Sequence, residues 1–170
     1  MLEAAVTVQE NGHRLTYTYD DLMLYHGPGF PGGVAHAFKV MERALPLLGE
    51  GELVERREVR IVTPFPGPGA RDAFEMVTRA VTEDRYTVDP ALKRADRGDL
   101  LQRYVFTLSY RGRSVTVVIR DEGFVVREFI DLARKGEWTP TEAARLAVLK
   151  QEMADRLLAK PATEVYDVAE

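Results

Sequence analysis

Alternation of hydrophobic and polar side chains predicts three strand regions in this chain. Residues 5–18 alternate around Asn11-Gly12, a dipeptide that favours the tight turn of a β-hairpin. Residues 103–120 alternate around Arg111-Gly112-Arg113 and form the clearest predicted hairpin. A charged strand is expected from Glu55 to Thr63, whereas residues 83–103 show little periodicity and are expected to form a long surface excursion.

Apolar side chains at helical spacing predict the first three helices. A short helix from Leu22 to His26, capped by Asp20 or Asp21, is expected to end at Gly27. The spacing then predicts one helix from Val34 to Leu48 and another from Ala70 to Val81.

Two further helices are predicted in the last third of the chain. The first runs from Val125 to Lys135. The second extends to about Lys160 and begins at Thr139-Pro140-Thr141-Glu142, which combines a capping threonine, a first-turn proline and a glutamate three residues after the cap. With no repeat or linker in residues 1–170, the pattern predicts one α+β domain with a long C-terminal helix.

Composition narrows the classes of function. The formal net charge of -4 gives no general attraction for nucleic acid or an anionic membrane. No apolar run is long enough to cross a bilayer and no signal peptide is recognisable, so we expect a cytoplasmic protein. The chain has no cysteine, which excludes disulfides, thiolate-bound metals and thiolate nucleophiles.

Two glycine- and proline-rich loops, residues 25–33 and 64–69, each lead directly into a predicted helix. The first turn of a helix presents unpaired backbone N–H groups and a partial positive charge. A rigid loop at that point can therefore hold an anion or another small ligand. We expect the site to lie between residues 26–33 and 64–72, with the glycines of both loops as ligand-binding positions: Gly27, Gly29, Gly32 and Gly69.

Each loop also brings an ionisable side chain to its junction with a helix. His26 is a candidate base, and Asp72 is a candidate base or the carboxylate that orients His26. Arg71 is a candidate ligand for a carboxylate or phosphate. The alternatives are that His26 binds the last carbonyls of its own helix, that Asp72 only complements a helix dipole, and that Arg71 is solvated. The spacing Gly27-x-Gly29-x-x-Gly32 does not predict a dinucleotide site, because prolines interrupt it and no strand precedes it.

Three histidines limit the choices for a metal site. His26 and His36 lie around the first loop and could share a divalent metal, since imidazole is a common metal ligand. A helical wheel places His36 on the polar side of its helix, beside Lys39 and Arg43. The alternative is therefore a solvated histidine.

The order of several motifs resembles the FmdE-like family, which takes its name from a component of molybdenum formylmethanofuran dehydrogenase. Residues 25–32 are similar to its H-G-H-x-C-P-G segment, and Arg71-Asp72-Ala73-Phe74 to its Cys-x-x-Asp-Ala segment. The resemblance spans residues 19–168 and includes the 104–119 hairpin and the closing helix. It implies an α+β fold with a mixed or antiparallel sheet flanked by helices, and a homodimer.

The chain departs from the family pattern at its chemical positions. His26 and Asp72 match, but Pro28 stands at the second motif histidine, and Phe30 and Gly69 stand at the two cysteines. His36 replaces a glycine expected inside the first helix. A thiolate-bound metal is therefore excluded. A divalent metal held by histidine is the kind of metal site that remains possible.

These observations support three hypotheses of function. The leading one is a homodimeric FmdE-like protein, accessory to a molybdenum or tungsten enzyme, that binds a small ligand or metal between the two loops. The second is an acid–base or metal-assisted enzyme that uses His26 and Asp72. The third is a non-catalytic dimeric protein whose site has degenerated.

Overall fold

The computed structural model describes residues 3–169 and has a mixed α+β architecture. Its strands are β1 (Val6–Glu10), β2 (His13–Tyr17), β3 (Arg60–Thr63), β4 (Tyr86–Val88), β5 (Val105–Tyr110), β6 (Arg113–Ile119) and β7 (Tyr166–Val168). Its helices are α1 (Tyr19–His26), α2 (Pro31–Gly49), α3 (Pro68–Thr78), α4 (Gly98–Leu101), α5 (Arg127–Ala133) and α6 (Pro140–Leu158). The predicted fold class and the long C-terminal helix are confirmed. No helix in the described residues is long and apolar enough to cross a membrane.

The strands form a separate hairpin and one mixed sheet. β1 pairs antiparallel with β2, and the other strands lie in the order β4-β3-β5-β6-β7. Only β3 and β4 are parallel. Phe106, Leu108 and Val117 are fully buried on one face, whereas Thr107 and Thr116 join their hydroxyls at 2.8 Å on the other. This alternation makes one face of the sheet apolar.

Helix α2 lies at the centre of the buried core. It contacts α1, α3 and α6 as well as β5 and β6, and thirteen of its nineteen residues are buried. Phe38 and Met41 are fully buried within it, and so are Ala35 and Ala37 on other sides of the helix. Because neighbours enclose α2 on several sides, its burial is not confined to one stripe.

The structure confirms the predicted hairpin turn and the predicted start of the last helix, and it corrects the predicted cap of the first helix. Asn11 and Gly12 both have positive φ, at 50° and 83°, as the tight hairpin turn requires. Thr139 caps α6 in a reciprocal arrangement with Glu142. The cap of α1, however, is Thr18 and not Asp20 or Asp21, because Asp21 is the residue that completes its capping box.

Several strands and helices have boundaries that differ from those predicted from the sequence. The strand expected over 55–63 begins only at Arg60, because a 3-10 turn occupies residues 56–58. The excursion expected over 83–103 contains β4 and α4. α5 is shorter than the predicted helix from Val125 to Lys135, and the short edge strand β7 was not predicted. Three-residue strands have too little alternation to be read from sequence.

The predicted helix from Ala70 to Val81 is wrong at its C-terminus. α3 ends at Thr78, and Arg79 adopts a left-handed φ of 61°. The buried Glu75 carboxylate then accepts hydrogen bonds from the Thr82 backbone N–H at 2.8 Å and from its hydroxyl at 2.5 Å. These bonds fold the following turn against α3, which leaves Val81 outside the helix.

The first turns of α2 and α3 meet at a contact between two glycines. A Cβ placed on Gly69 would lie 2.6 Å from the Phe30 carbonyl oxygen and 3.0 Å from the Val34 nitrogen. A Cβ on Gly33 would lie 3.2 Å from the Ala70 nitrogen. Only residues without a side chain allow two backbones to approach this closely.

We expect Gly69→Ala to destabilise the fold by about 1–3 kcal/mol, because the new methyl group would overlap a backbone carbonyl that cannot rotate away. The matched control is Gly29→Ala, whose Cβ would meet no atom within 4 Å. Its effect should stay within about 0.5 kcal/mol. Urea denaturation of both variants measures the free energy of unfolding, and equal values for the two would contradict the contact.

Candidate functional site

Two helix N-termini converge on the same region of the molecule. Pro31 opens α2 and Pro68 opens α3. Neither helix has a side-chain cap, and neither carries an acidic residue in its first turn. Neither first turn is therefore closed by a side chain, and the two positive dipole ends lie beside each other.

A cavity of about 300 Å³ lies beside these N-termini. The first loop contributes Phe30, Gly32 and Gly33, and the second contributes residues 65–69. The opposite wall comes from α4, the residues just before β5, α5 with the loop that follows it, and α6. Its residues are Asp99, Leu100, Arg103, Tyr104, Phe129, Ile130, Ala133, Arg134, Trp138, Lys150 and Met153. The two loops thus line one cavity, but they form only about half of its wall.

Aromatic rings make much of this wall rigid. Tyr104 is 4% exposed, and its ring centroid lies 5.2 Å from that of Phe65 and 4.7 Å from that of His36. Burial raises the pKa of the Tyr104 hydroxyl, so this group stays protonated. Phe65 in turn folds over Gly67, where any Cβ would lie 2.3 Å from the ring. The loop and the start of the central strand are therefore joined by contacts between tilted aromatic rings.

The outer wall is a short helix held by surface ion pairs. None of the residues of α5 is buried, although Phe129 and Ile130 pack partly against the core. Asp99 accepts hydrogen bonds from Arg127 at 2.8 and 2.9 Å and from Arg134 at 3.2 Å. These bonds hold the pKa of the Asp99 carboxyl well below its usual range. Exposed pairs of this kind contribute little stability, so α5 is the most weakly attached part of the wall.

His26 and Asp72, separated by 46 positions, lie in direct contact. His26 Nδ1 is 2.8 Å from Asp72 Oδ2, and Arg71 Nε is 3.2 Å from the other carboxylate oxygen. The His26 side chain is only 6% exposed and Asp72 is 26% exposed. Since a carboxylate can only accept, Nδ1–H is the donor, and the remaining Nε2 is buried without a partner in residues 3–169.

This pair does not line the cavity. His26, Asp72 and Arg71 are absent from its wall, and so are Gly27 and Gly29. Of the predicted ligand-binding positions, Gly32 and Gly69 do line it. The expected pairing of His26 with Asp72 is present, but it joins α1 to α3 outside the space where a ligand would fit.

The expectation that His36 lies on a polar helix face is wrong. His36 is fully buried, because α6 and β7 cover the side of α2 that a helical wheel assigns to solvent. Its Nε2 lies 3.2 Å from Met153 Sδ and its Nδ1 lies 2.8 Å from the Tyr166 hydroxyl. A thioether only accepts, so Nε2–H donates to sulfur and Nδ1 accepts from Tyr166. Burial, with a smaller effect of Arg156, lowers the pKa of His36 to about 3.

Both ring nitrogens of His36 are thus used inside the core. In the described part of the chain, no group of three or more histidine and acidic side chains is placed to hold a metal ion. His26 offers one free nitrogen and His36 none. The proposed sharing of a metal by these two histidines would require breaking the bonds to Tyr166 and Met153.

The opposite wall of the cavity was not predicted from sequence. The hydrophobic pattern places Arg103 and Tyr104 where the predicted surface segment joins the second hairpin. It places Phe129 in the helix predicted from Val125 to Lys135, and Trp138 just before the last helix. A usable signal existed in α5, where Phe129, Ile130 and Ala133 share one side of the helix. Nothing in the local sequence says that this side faces the two glycine loops.

No known family model matches the chain, and a search of curated proteins gives no significantly similar sequence. Membership of the FmdE-like family, the homodimer and the cytoplasmic location stay predictions.

The buried neutral His36 makes stability depend on pH. Its folded pKa of about 3 lies below the ordinary 6.5, so the unfolded chain binds the extra proton between these values and acid favours unfolding. We expect the free energy of unfolding to fall by about 2 kcal/mol from pH 7 to pH 5 on this account. Most carboxylates protonate at lower pH and contribute little in this window.

Urea denaturation at the two pH values measures this loss. His36→Gln should remove most of it, while His13→Gln, at the exposed first position of β2, should retain it. Each loss is a difference within one protein, so a lower starting stability of His36→Gln does not affect the comparison. An undiminished loss in His36→Gln would show that another group titrates.

Proposed function

We propose that this protein binds a small, largely apolar molecule in the cavity between the two glycine loops and α5. The observation that carries the proposal is the cavity itself, whose 300 Å³ matches the lower end of the range for small-molecule sites. Aromatic residues from four separate segments line it: Phe30, Phe65, Tyr104, Phe129 and Trp138. Such walls bind flat apolar groups through contact area and ring stacking.

Access to the cavity is consistent with binding. α5 lies between Gly123 and Gly136, both with positive φ, and ion pairs at its surface join it to α4 and α6. The Trp138 indole N–H donates to the Leu132 carbonyl at 2.7 Å, which fixes the ring at the edge of the cavity. A weakly attached wall permits a small molecule to enter the cavity, while the two loops and the residues before β5 keep their shape.

The role as an FmdE-like accessory protein rests on the motif order alone and is compatible with this proposal. His26 and Asp72, the positions that match the family motifs, would then hold the first loop in place. The cavity would be the part that receives a small molecule.

A second candidate function is acid–base chemistry at His26. The observation that favours it is the orientation of the ring by Asp72, which leaves Nε2 as a free lone pair in the neutral form. Nε2 is buried, however, and lies outside the cavity wall. Binding in the cavity is therefore the better supported function.

Filling the cavity should abolish binding. We expect the neutral fluorophore phenylnaphthylamine to bind the native protein, brightening as it leaves water, and to quench or shift the emission of Trp138, the only tryptophan. Ala133→Phe places a ring in the cavity and should weaken binding by about tenfold or more, since the ring takes up space that the fluorophore needs.

The matched control is Ala147→Phe, an exposed position on α6 that does not line the cavity. It should bind the fluorophore as the native protein does. Equal binding by both variants would place the fluorophore elsewhere and overturn the proposal.

His26→Ala should separate the two candidate functions. Loss of the bond to a partly buried carboxylate should cost about 1–3 kcal/mol of stability, measured by urea denaturation. The affinity for phenylnaphthylamine should stay unchanged, because His26 does not line the cavity. A folded variant with greatly reduced affinity would instead connect His26 with the bound molecule and favour the acid–base function.

A further inference from the structure

The charged residues around the cavity are strongly biased toward one sign. Arg103, Arg134 and Lys150 line it, with Asp99 as the only carboxylate in the wall. The Asp99 carboxylate already accepts hydrogen bonds from Arg134 and from Arg127, which does not line the cavity. The remaining two cations, Arg103 and Lys150, have no carboxylate within ion-pairing distance in residues 3–169.

Lys150 is a partly buried cation without a counter-ion among those residues. Its ammonium lies 4.0 Å from the centre of the Phe30 ring and donates to the Gly29 carbonyl at 3.3 Å. Partial desolvation lowers the pKa of Lys150. An anion in the cavity would supply this ammonium with an ionic partner.

Arg103 stands next to Tyr104, which forms the aromatic wall. Its guanidinium is exposed and can turn toward a carboxylate, which it can bind through two parallel hydrogen bonds. The uncapped first turns of α2 and α3 add positive potential on the opposite side through Gly32, Gly33 and Gly69. Positive groups thus face the cavity from both sides, with apolar rings between them.

We infer that the ligand of this cavity is an aromatic carboxylate, whose ring lies among the aromatic side chains and whose anionic group is recognised by Arg103 with Lys150. The inference rests on the proposed function and adds the chemical class of the ligand. Arg103 is the specificity-determining residue, because Arg134 is already bound to Asp99 and Lys150 also ties α6 to the first loop.

A matched pair of probes tests whether the cavity prefers a carboxylate. Naphthoate carries a carboxylate, and naphthamide has the same ring and nearly the same shape without the charge. Binding of each to the native protein is measured by Trp138 fluorescence and by calorimetry. We expect naphthoate to bind about tenfold more tightly than naphthamide, as one charge-assisted hydrogen-bonded pair would give.

Arg103→Gln should remove this preference by weakening naphthoate about tenfold while leaving naphthamide unchanged. The control is Arg60→Gln, an exposed arginine on β3 that does not line the cavity, which should keep the preference. Added salt should weaken naphthoate binding and not naphthamide binding. Melting temperatures confirm that both variants remain folded.

The outcomes distinguish this inference from the proposed function. If naphthamide binds as tightly as naphthoate, the cavity binds apolar molecules and does not distinguish a carboxylate from a neutral group. In that case only the inference fails. A preference for naphthoate that persists in Arg103→Gln would assign recognition to another group and overturn the role of Arg103. If neither probe nor phenylnaphthylamine binds, the proposed function fails as well.

Discussion

The contact between the first turns of α2 and α3 is the constraint on which the site depends. Gly69 lies against the Phe30 carbonyl and has no room for a side chain, and Gly33 lies tightly against the Ala70 nitrogen. The contact brings two positively polarised helix ends together without capping side chains. It also sets the spacing of the two loops, and hence the floor of the cavity between them.

The same contact separates two kinds of chemistry. Outside the cavity, His26 and Asp72 join α1 to α3 through a short, largely buried hydrogen bond. Inside it, the exposed surface is aromatic and its free charges are cationic. Two ionisable residues at loop–helix junctions can therefore be neighbours without belonging to the space that a ligand would occupy.

Stability is distributed unevenly around the cavity. The floor belongs to the continuous core, where the rings of His36, Tyr104 and Phe65 contact one another at tilted angles. The outer wall, α5, has no buried residue, and its ion pairs join Arg127 to Asp99 and Glu128 to Arg145. A rigid floor with a weakly attached wall suits a site that must keep its shape and yet exchange its contents.

Features that rest on neighbouring residues could be predicted from the sequence, whereas the surroundings of each helix could not. Asn11-Gly12 specified a hairpin turn, Thr139 to Glu142 specified the start of α6, and the motif order paired His26 with Asp72. His36 was misplaced because a helical wheel assumes one buried face, and α2 is enclosed on several sides. The wall that contains Arg103, Phe129 and Trp138 lies far along the chain from both glycine loops. Such contacts follow from how sheet and helices pack, which local periodicity does not encode.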